Sequence, residues 1–505
     1  MSSNQALAPV LIPWITGILL IFFFKNIRIQ RFLSGCSAVL ALINAVYLFQ
    51  TVSSSGTIVF FGGDWAAPFG ITMVVDLFSG ILVLTSSIVS LAVVFYSFRM
   101  IDEQRERHFY HFLVQMVLVG VNGAFVTGDI FNLYVFFELF LISSYVLMAI
   151  GSTKAQLRET YKYILLNFLV SVFFLVGLAL LYGVAGTLNM ADLARKLPAA
   201  PNKGIISLIA VIFIIVFGSK AAVFPLFYWL PYSYVEPPPP VSALFGGLLT
   251  KVGIYCMIRS FTLFFTGDTA FTHNLLFALG ILTMVLGGLG AIAQYNFRRI
   301  LSYHIISQIG YMIMGLAIGT TAALAAAIYF VIHNMIVKSG LFLFSGVTEK
   351  ITGSGDLRLM GGLLHRYPLL GWGFFLGGIS LAGVPPFSGF FAKLLMMSGA
   401  SQAGNYWAMF FTLGVGFLTL FSMIKIFMYC YWGEEKPVRE EALASSFSYR
   451  RLVLPCLFLV LVSIAMGLGS EYIVDIHMRT AAELRMPERY IHAVFGGAND
   501  TAIRY

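Results

Sequence analysis

The stretch "FGSKAAVFPLFYWLP", Phe217–Pro231, lies inside a long apolar segment, yet it holds Lys220 and, five residues later, Pro225. A lysine at the centre of a bilayer costs about 2.5–3.5 kcal/mol on insertion scales. A proline within a helix removes a backbone hydrogen bond. In lipid, such a break is tolerated only where protein, water or side chains satisfy the freed groups. If this segment crosses a membrane, it is a broken helix with a titratable group at its middle.

The rest of the chain supports a membrane setting. Of 505 residues, 59% are hydrophobic and only 10% charged, against about 25% charged in soluble domains. Apolar runs long enough to span a bilayer recur fourteen times, near 8–25, 31–50, 72–98, 109–127, 129–150, 161–185, 204–231, 241–263, 273–293, 301–318, 321–346, 370–397, 405–432 and 452–470. Backbone groups in lipid must be satisfied internally, so these runs are expected to be helices. The expectation is an all-α polytopic membrane protein with no soluble domain. The first run lacks a basic leader and a cleavage-site pattern, so it reads as a retained helix.

The net charge of +9 is a matter of orientation and not of nucleic-acid binding. Connections after odd-numbered runs hold 18 of the 31 basic residues, among them Arg31, Arg105, Arg158, Arg298, Lys350 and Arg451. Even connections and the C-terminal tail hold eight, including Arg195, Arg259, Arg485 and Arg504. The positive-inside rule then puts the odd connections in the cytoplasm and both termini outside. Cys36, Cys256, Cys430 and Cys456 have no metal-ligand spacing and read as apolar fillers. With no cysteine cluster, haem motif or flavin fingerprint, the chain is expected to hold no cofactor or metal.

The remaining basic residues, Lys220, Lys251, Lys338, Lys393 and Lys425, fall within the runs. Lys425 is close enough to its cytoplasmic edge to snorkel. The other four are deep. One such lysine has a plain structural reading, in which it bonds backbone carbonyls. Four on four helices suggest a polar path instead. Glu138 is the one glutamate deep in a run, and an unpaired carboxylate there is disfavoured, so a lysine partner is expected. Asp76 and Asp129 read as interfacial, and no arginine is expected deep in the spans. Burial favours the neutral amine and a nearby carboxylate favours the ammonium, so a buried lysine can carry a proton reversibly. A permanently charged arginine cannot. His333 lies five residues before Lys338, which places the two side chains about 140° apart on a helix; a π-turn would bring them nearer.

A second run is also interrupted, at Gly383, Pro385, Pro386 and Gly389, just before Lys393. Paired interrupted spans point to an inverted-repeat transporter with sites near the midplane. The intervals fit two inverted five-helix repeats, helices 4–8 and 9–13, with helices 7 and 12 discontinuous. The corresponding divisions are 1–108, 109–263, 273–432 and 452–505.

"DIFNLYVFFELFLISSYVLMAIG", "FGSKAAVFPLFYWLPYSYVEPPPPVSALFGGLLTKVGIY" and "LAGVPPFSGFFAK" resemble the antiporter-like subunits shared by respiratory complex I and the multisubunit Mrp cation/proton antiporters. The resemblance covers roughly residues 70–430, and "PPPPVSALFGGLLTKVG" is most similar to D-type Mrp subunits. It implies a proton relay through Glu138, Lys220, Lys251, His333, Lys338 and Lys393, with helix breaks at Pro225, Pro385 and Pro386. It also implies a bacterial plasma-membrane complex with A, B, C, E, F and G subunits as partners, moving Na+ and H+. One departure is Tyr232, where relatives often carry aspartate after "WLP"; Glu236 lies nearby. Two other readings are carried: a proton-pumping membrane subunit of complex I or a membrane-bound hydrogenase, and a non-conducting scaffold.

Overall fold

The computed structural model describes residues 3–439 and 448–499. Arg504 lies outside the described residues. Twelve helices among them are long and apolar enough to cross a membrane, and the shorter Tyr110–Val126 and Pro368–Ala382 bring the spans to fourteen. In chain order they are α1 (Ala8–Phe22), α2 (Ile27–Ser55), α3 (Leu77–Met100), α4 (Tyr110–Val126), α5 (Ile130–Ala149), α6 (Lys154–Ala185) and α7 (Lys203–Ala221, resuming as Leu230–Ser233). There follow α8 (Pro239–Leu263), α9 (Thr269–Ala293), α10 (Phe297–Ile318), α11 (Thr321–Thr352), α12 (Pro368–Ala382 and Ser388–Gln402), α13 (Tyr406–Cys430) and α14 (Tyr449–Leu468). The expected spans and both breaks fall where the apolar runs placed them.

A hairpin and two further helices were not legible in those runs. The connection after α2 folds into an antiparallel hairpin, β1 (Ile58–Phe61) with β2 (Thr72–Val75), in the register Ile58↔Val75. After α14 the chain forms two more helices, α15 (Ser470–Leu484) and α16 (Pro487–Asn499).

α8 and α11 are the innermost spans, buried along their whole apolar windows, whereas α6, α9 and α13 show lipid-type faces. Bonds between connections follow the alternation of an up-and-down bundle. Odd connections join odd ones: Arg31 with Glu106, Arg298 with Glu349 and with Pro237 O, and Gln156 with Glu236 O. The even side is joined to itself: Asp129 bridges Asn189, Thr320 Oγ1 donates to Gly399 O, and Arg485 donates to Thr321. Lys425 reaches the odd side, as its position suggested: it donates to Ile292 O and Gln294 O at the end of α9, with its Nζ 3.8 Å from the Tyr295 ring. The departure at Tyr232 has a local counterpart, since the Arg299 guanidinium lies 4.7 Å from that ring.

The Glu106 cluster illustrates how this side is pinned. Glu106 is 0% exposed and accepts both arms of Arg31, at 2.9 and 2.7 Å, with His111 Nε2 at 3.1 Å from Oε1. Burial alone would raise its pKa, but the bonds from His111 and Arg31 outweigh that and hold it below the usual value. A carboxyl depressed in this way adds stability above its unfolded pKa, and the contribution is lost as pH falls through the lower folded value. Glu106→Ala is expected to cost about 1–3 kcal/mol, because the buried His111 ring loses its bond and the half-exposed Arg31 loses both of its own. A lowered melting temperature of the detergent-solubilised protein near neutral pH checks this, and the difference from wild type should shrink in acid.

Candidate functional site

Both broken helices end their first halves in the same way. Ala222, after α7's first half, has φ +64°, and Gly383, after α12's, has φ +84°. Val223 N then bonds Gly218 O, and Val384 N bonds Ile379 O, the wrapped end that closes a helix before a left-handed residue. Neighbouring helices satisfy what the breaks release. At the first, Thr283 Oγ1 of α9 accepts from Phe224 N, and Trp229 Nε1 donates to Ser219 O. At the second, Ser463 of α14 lies 2.8 Å from both Ser380 and Ser388, one on either side of the break. α14 can approach so closely because Gly467 faces Pro386 O, where a Cβ would collide.

Lys220 occupies the last turn before the first break and is 6% exposed. Its Nζ donates to Asn167 Oδ1 and Ser171 Oγ, each at 3.3 Å, and lies 5.9 Å from the Phe137 ring. Ser171 in turn donates to Glu138 Oε1 at 2.5 Å. The expected Glu138–Lys220 pair is therefore bridged by a hydroxyl. Asn167 and Ser171 were missed in the sequence. Their signal is two polar residues four apart in an apolar helix, which puts them on one face.

Lys251 follows a π-helical turn, Phe245–Leu249, in α8. Its Nζ donates to Gly246 O inside that turn at 2.5 Å and to Thr250 Oγ1. π-turns recur at functional sites because the wider turn redirects side chains. Lys338, 0% exposed, donates to Leu301 O of α10 at 3.4 Å and is near enough to Lys251 for the charges to interact. Beside it, Ser339 Oγ donates to Ala243 O and ties α11 to α8.

α11 is an uninterrupted α-helix, so His333 and Lys338 face different neighbours. His333 Nδ1 lies 2.8 Å from Ser388 Oγ and joins the serine pair at the second break. Lys393 donates to Ala382 O, the last carbonyl before that break, and its Nζ stands 5.9 Å from the Tyr311 ring. α10 spans the gap between Lys338 and Lys393. His304, 0% exposed, lies within electrostatic reach of both lysines, and its Nε2 is 2.5 Å from Ser422 Oγ. One turn on, both amide atoms of the buried Gln308 lack a partner among the described residues, and Tyr311 follows. His304 and Gln308 were not singled out in the sequence. The signal was present as polar residues at four-residue spacing in a predicted span.

The reading of Arg259 needs correction. The sequence places it in an even connection, with no arginine deep in a span. It lies inside α8, 3% exposed, and is bound by both arms to Asp76, at 2.6 and 2.8 Å. Asp76 also caps α3, at the start of that span, and is buried. Mutual neutralisation lets both charges leave water.

Residues 127–419 match the family described as "NADH:quinone oxidoreductase/Mrp antiporter, TM". The chain is 49% identical over 492 residues to the D-type subunit of the Na(+)/H(+) antiporter of Alkalihalophilus pseudofirmus OF4, covering 97% of this chain and 99% of that one. To the D-type subunit of the Na(+)/H(+) antiporter of Bacillus subtilis 168 it is 44% identical over the same shares. Among solved structures, a chain of the Mrp complex from Dietzia sp. DQ12-45-1b superimposes with a TM-score of 0.91 at 32% identity, over 98% of this chain and 100% of that one. A chain of the archaeal membrane-bound sulfane sulfur reductase gives 0.88 at 28% identity, over 98% and 100%. The chain belongs to the NADH:quinone oxidoreductase/Mrp antiporter transmembrane family.

Proposed function

We propose that this chain is the proton-translocating subunit of an Mrp-type multisubunit antiporter, exchanging cytoplasmic Na+, or another alkali cation, for external protons. The observation that carries the reading is a set of one carboxylate and four lysines within the spans: Ser171 joins Glu138 to Lys220 before the first helix break, the charges of Lys251 and Lys338 interact, and His304 lies within electrostatic reach of Lys338 and of Lys393 at the second break. The relatives' names support antiport over electron-driven pumping. Transport and not catalysis of a covalent reaction is the activity assigned. The other subunits of such a complex are the partners, and the bacterial plasma membrane is the location, with both termini outside.

Glu138 stabilises the ammonium of Lys220 through Ser171. When Lys220 swings from Ser171 towards Lys251, it leaves that support and gives up its proton. The proton then passes by Lys338, along the α10 face through His304, to Lys393, with His333 holding Ser388 at the second break. The division into helices 4–8 and 9–13 follows from the matching breaks. Because five is odd, the second unit starts on the opposite side of the membrane from the first, which makes the two units inverted.

Four lysines present ammonium donors and no oxygen cage, so the alkali cation is assigned to a site outside this row. Glu138→Gln tests the reading. In vesicles containing the assembled complex, Na+-dependent proton movement is expected to fall by about 100-fold. Wild-type rates in a fully assembled variant would sink it.

A further inference from the structure

α8 carries Lys251, Tyr255 and Arg259 at four-residue intervals, so they stack on one face towards the even side, each about 6 Å beyond the last. Tyr255 is held by its hydroxyl, which donates to Phe125 O at 2.8 Å. Arg259 is enclosed by the rings of Phe78, Tyr255 and Tyr490, at 5.5, 5.5 and 5.2 Å. Its Nη atoms hold Asp76, but its buried Nε has no partner among the described residues.

Above this ion pair is a cavity of about 30 Å3, roomy enough for one or two waters. Asp76, Arg259 and Tyr490 line it, and Thr480 and Glu483 of α15 form part of its roof. A purely structural ion pair needs neither the cavity nor a carboxylate over it. Nothing in the relay described above uses either.

We propose that this cavity is the outer port of the relay, and that Glu483 is the carboxylate that takes up external protons there. The inference rests on the antiport reading of the preceding subsection. A hydronium ion at the surface protonates Glu483, and the acid then releases the proton to water in the cavity. This regenerates the carboxylate and leaves the proton on cavity water at the head of the Arg259–Tyr255–Lys251 face; the Tyr255 hydroxyl, midway along it, takes up that proton as it releases its own to a neutral Lys251 amine, about 12 Å from Arg259. The guanidinium, fixed by Asp76, is a permanent positive group on the route. Its charge is offset by Asp76, so the pair as a whole does not bar a proton.

The charged and titratable groups around Glu483 suit this role. Asp76 faces it from α3, Arg259 from α8, and Arg489, 3.8 Å away, and Tyr490 from α16. Arg479 is on its own helix, as is His477, which packs against Tyr329 of α11 with ring centroids 4.8 Å apart; Arg485 is engaged with Thr321. Burial and the Asp76 charge raise the Glu483 pKa, against the opposing effect of Arg489 and Arg479. A raised value favours capture when external protons are scarce.

The test uses the whole complex in right-side-out proteoliposomes, with Na+-dependent exchange measured against external pH. Glu483→Gln is expected to need about tenfold more external protons for half-maximal rate, a shift of about one pH unit to lower pH. Glu483→Asp should restore most of the profile. A Glu483→Gln profile that superimposes on wild type overturns the inference, as does a loss equal at every pH that Asp does not rescue. Glu138→Gln run in parallel separates the two readings. If it is inactive while the Glu483→Gln profile is unchanged, the relay stands and the port fails. If Glu138→Gln is fully active, the relay reading itself fails.

Discussion

Lys220→Ala is expected to lower sodium-driven proton exchange by about 100-fold or more, with the complex still assembled. The amine is buried and donates to Asn167 and Ser171. Removing it leaves Glu138 hydrogen-bonded to Ser171, so the relay loses the proton carrier that Glu138 supports without losing the carboxylate. Lys220→Arg should fail as well, because a guanidinium remains charged and cannot release a proton. This separates a relay from a structural cation: if Lys220 served only to neutralise Glu138, arginine would restore function. The measurement is proton movement in everted vesicles on addition of Na+, paired with co-purification of the other subunits. Normal exchange by the alanine variant would end the proposal.

His304→Ala is expected to reduce exchange by about 10- to 100-fold. His304 lies on α10 between Lys338, which bonds Leu301 O, and Lys393, which stands over Tyr311. Its removal takes away a titratable side chain of α10 that interacts with both lysines. The loss should not come from Ser422, which keeps its own bonds to Leu418 O and Thr419 O. His304→Gln sharpens the test, since an amide can still bond Ser422 but cannot carry a proton. Rescue by glutamine would show that the histidine only joins α10 to α13. Continued loss with glutamine, at an unchanged melting temperature, is the expected result.

Much of this protein was legible without coordinates, and for one reason. In lipid, a charge or a broken helix is costly enough that each occurrence stands out. That cost made the fourteen spans, the breaks at Pro225 and Pro385–Pro386, and the row Glu138, Lys220, Lys251, Lys338 and Lys393 visible as a set. It also made the basic bias of the odd connections readable as orientation.

What remained hidden were the cheap residues and the distant partners. Serine, asparagine and glutamine are common enough in membrane helices that Ser171, Asn167 and Gln308 raised no flag. Their importance comes from what faces them: Ser171 meets Lys220 from 49 positions away, and His304 meets Ser422 from 118. Arg259 looked like a loop cation at the edge of a span until α3 brought Asp76 to it across 183 positions. The sequence by itself determined that polar groups lie within the membrane and how many helices carry them. Only the tertiary structure decided which of them touch. Helical periodicity sets the direction of a side chain relative to its own axis, whereas the facing partner is set by how the helices pack around α8 and α11.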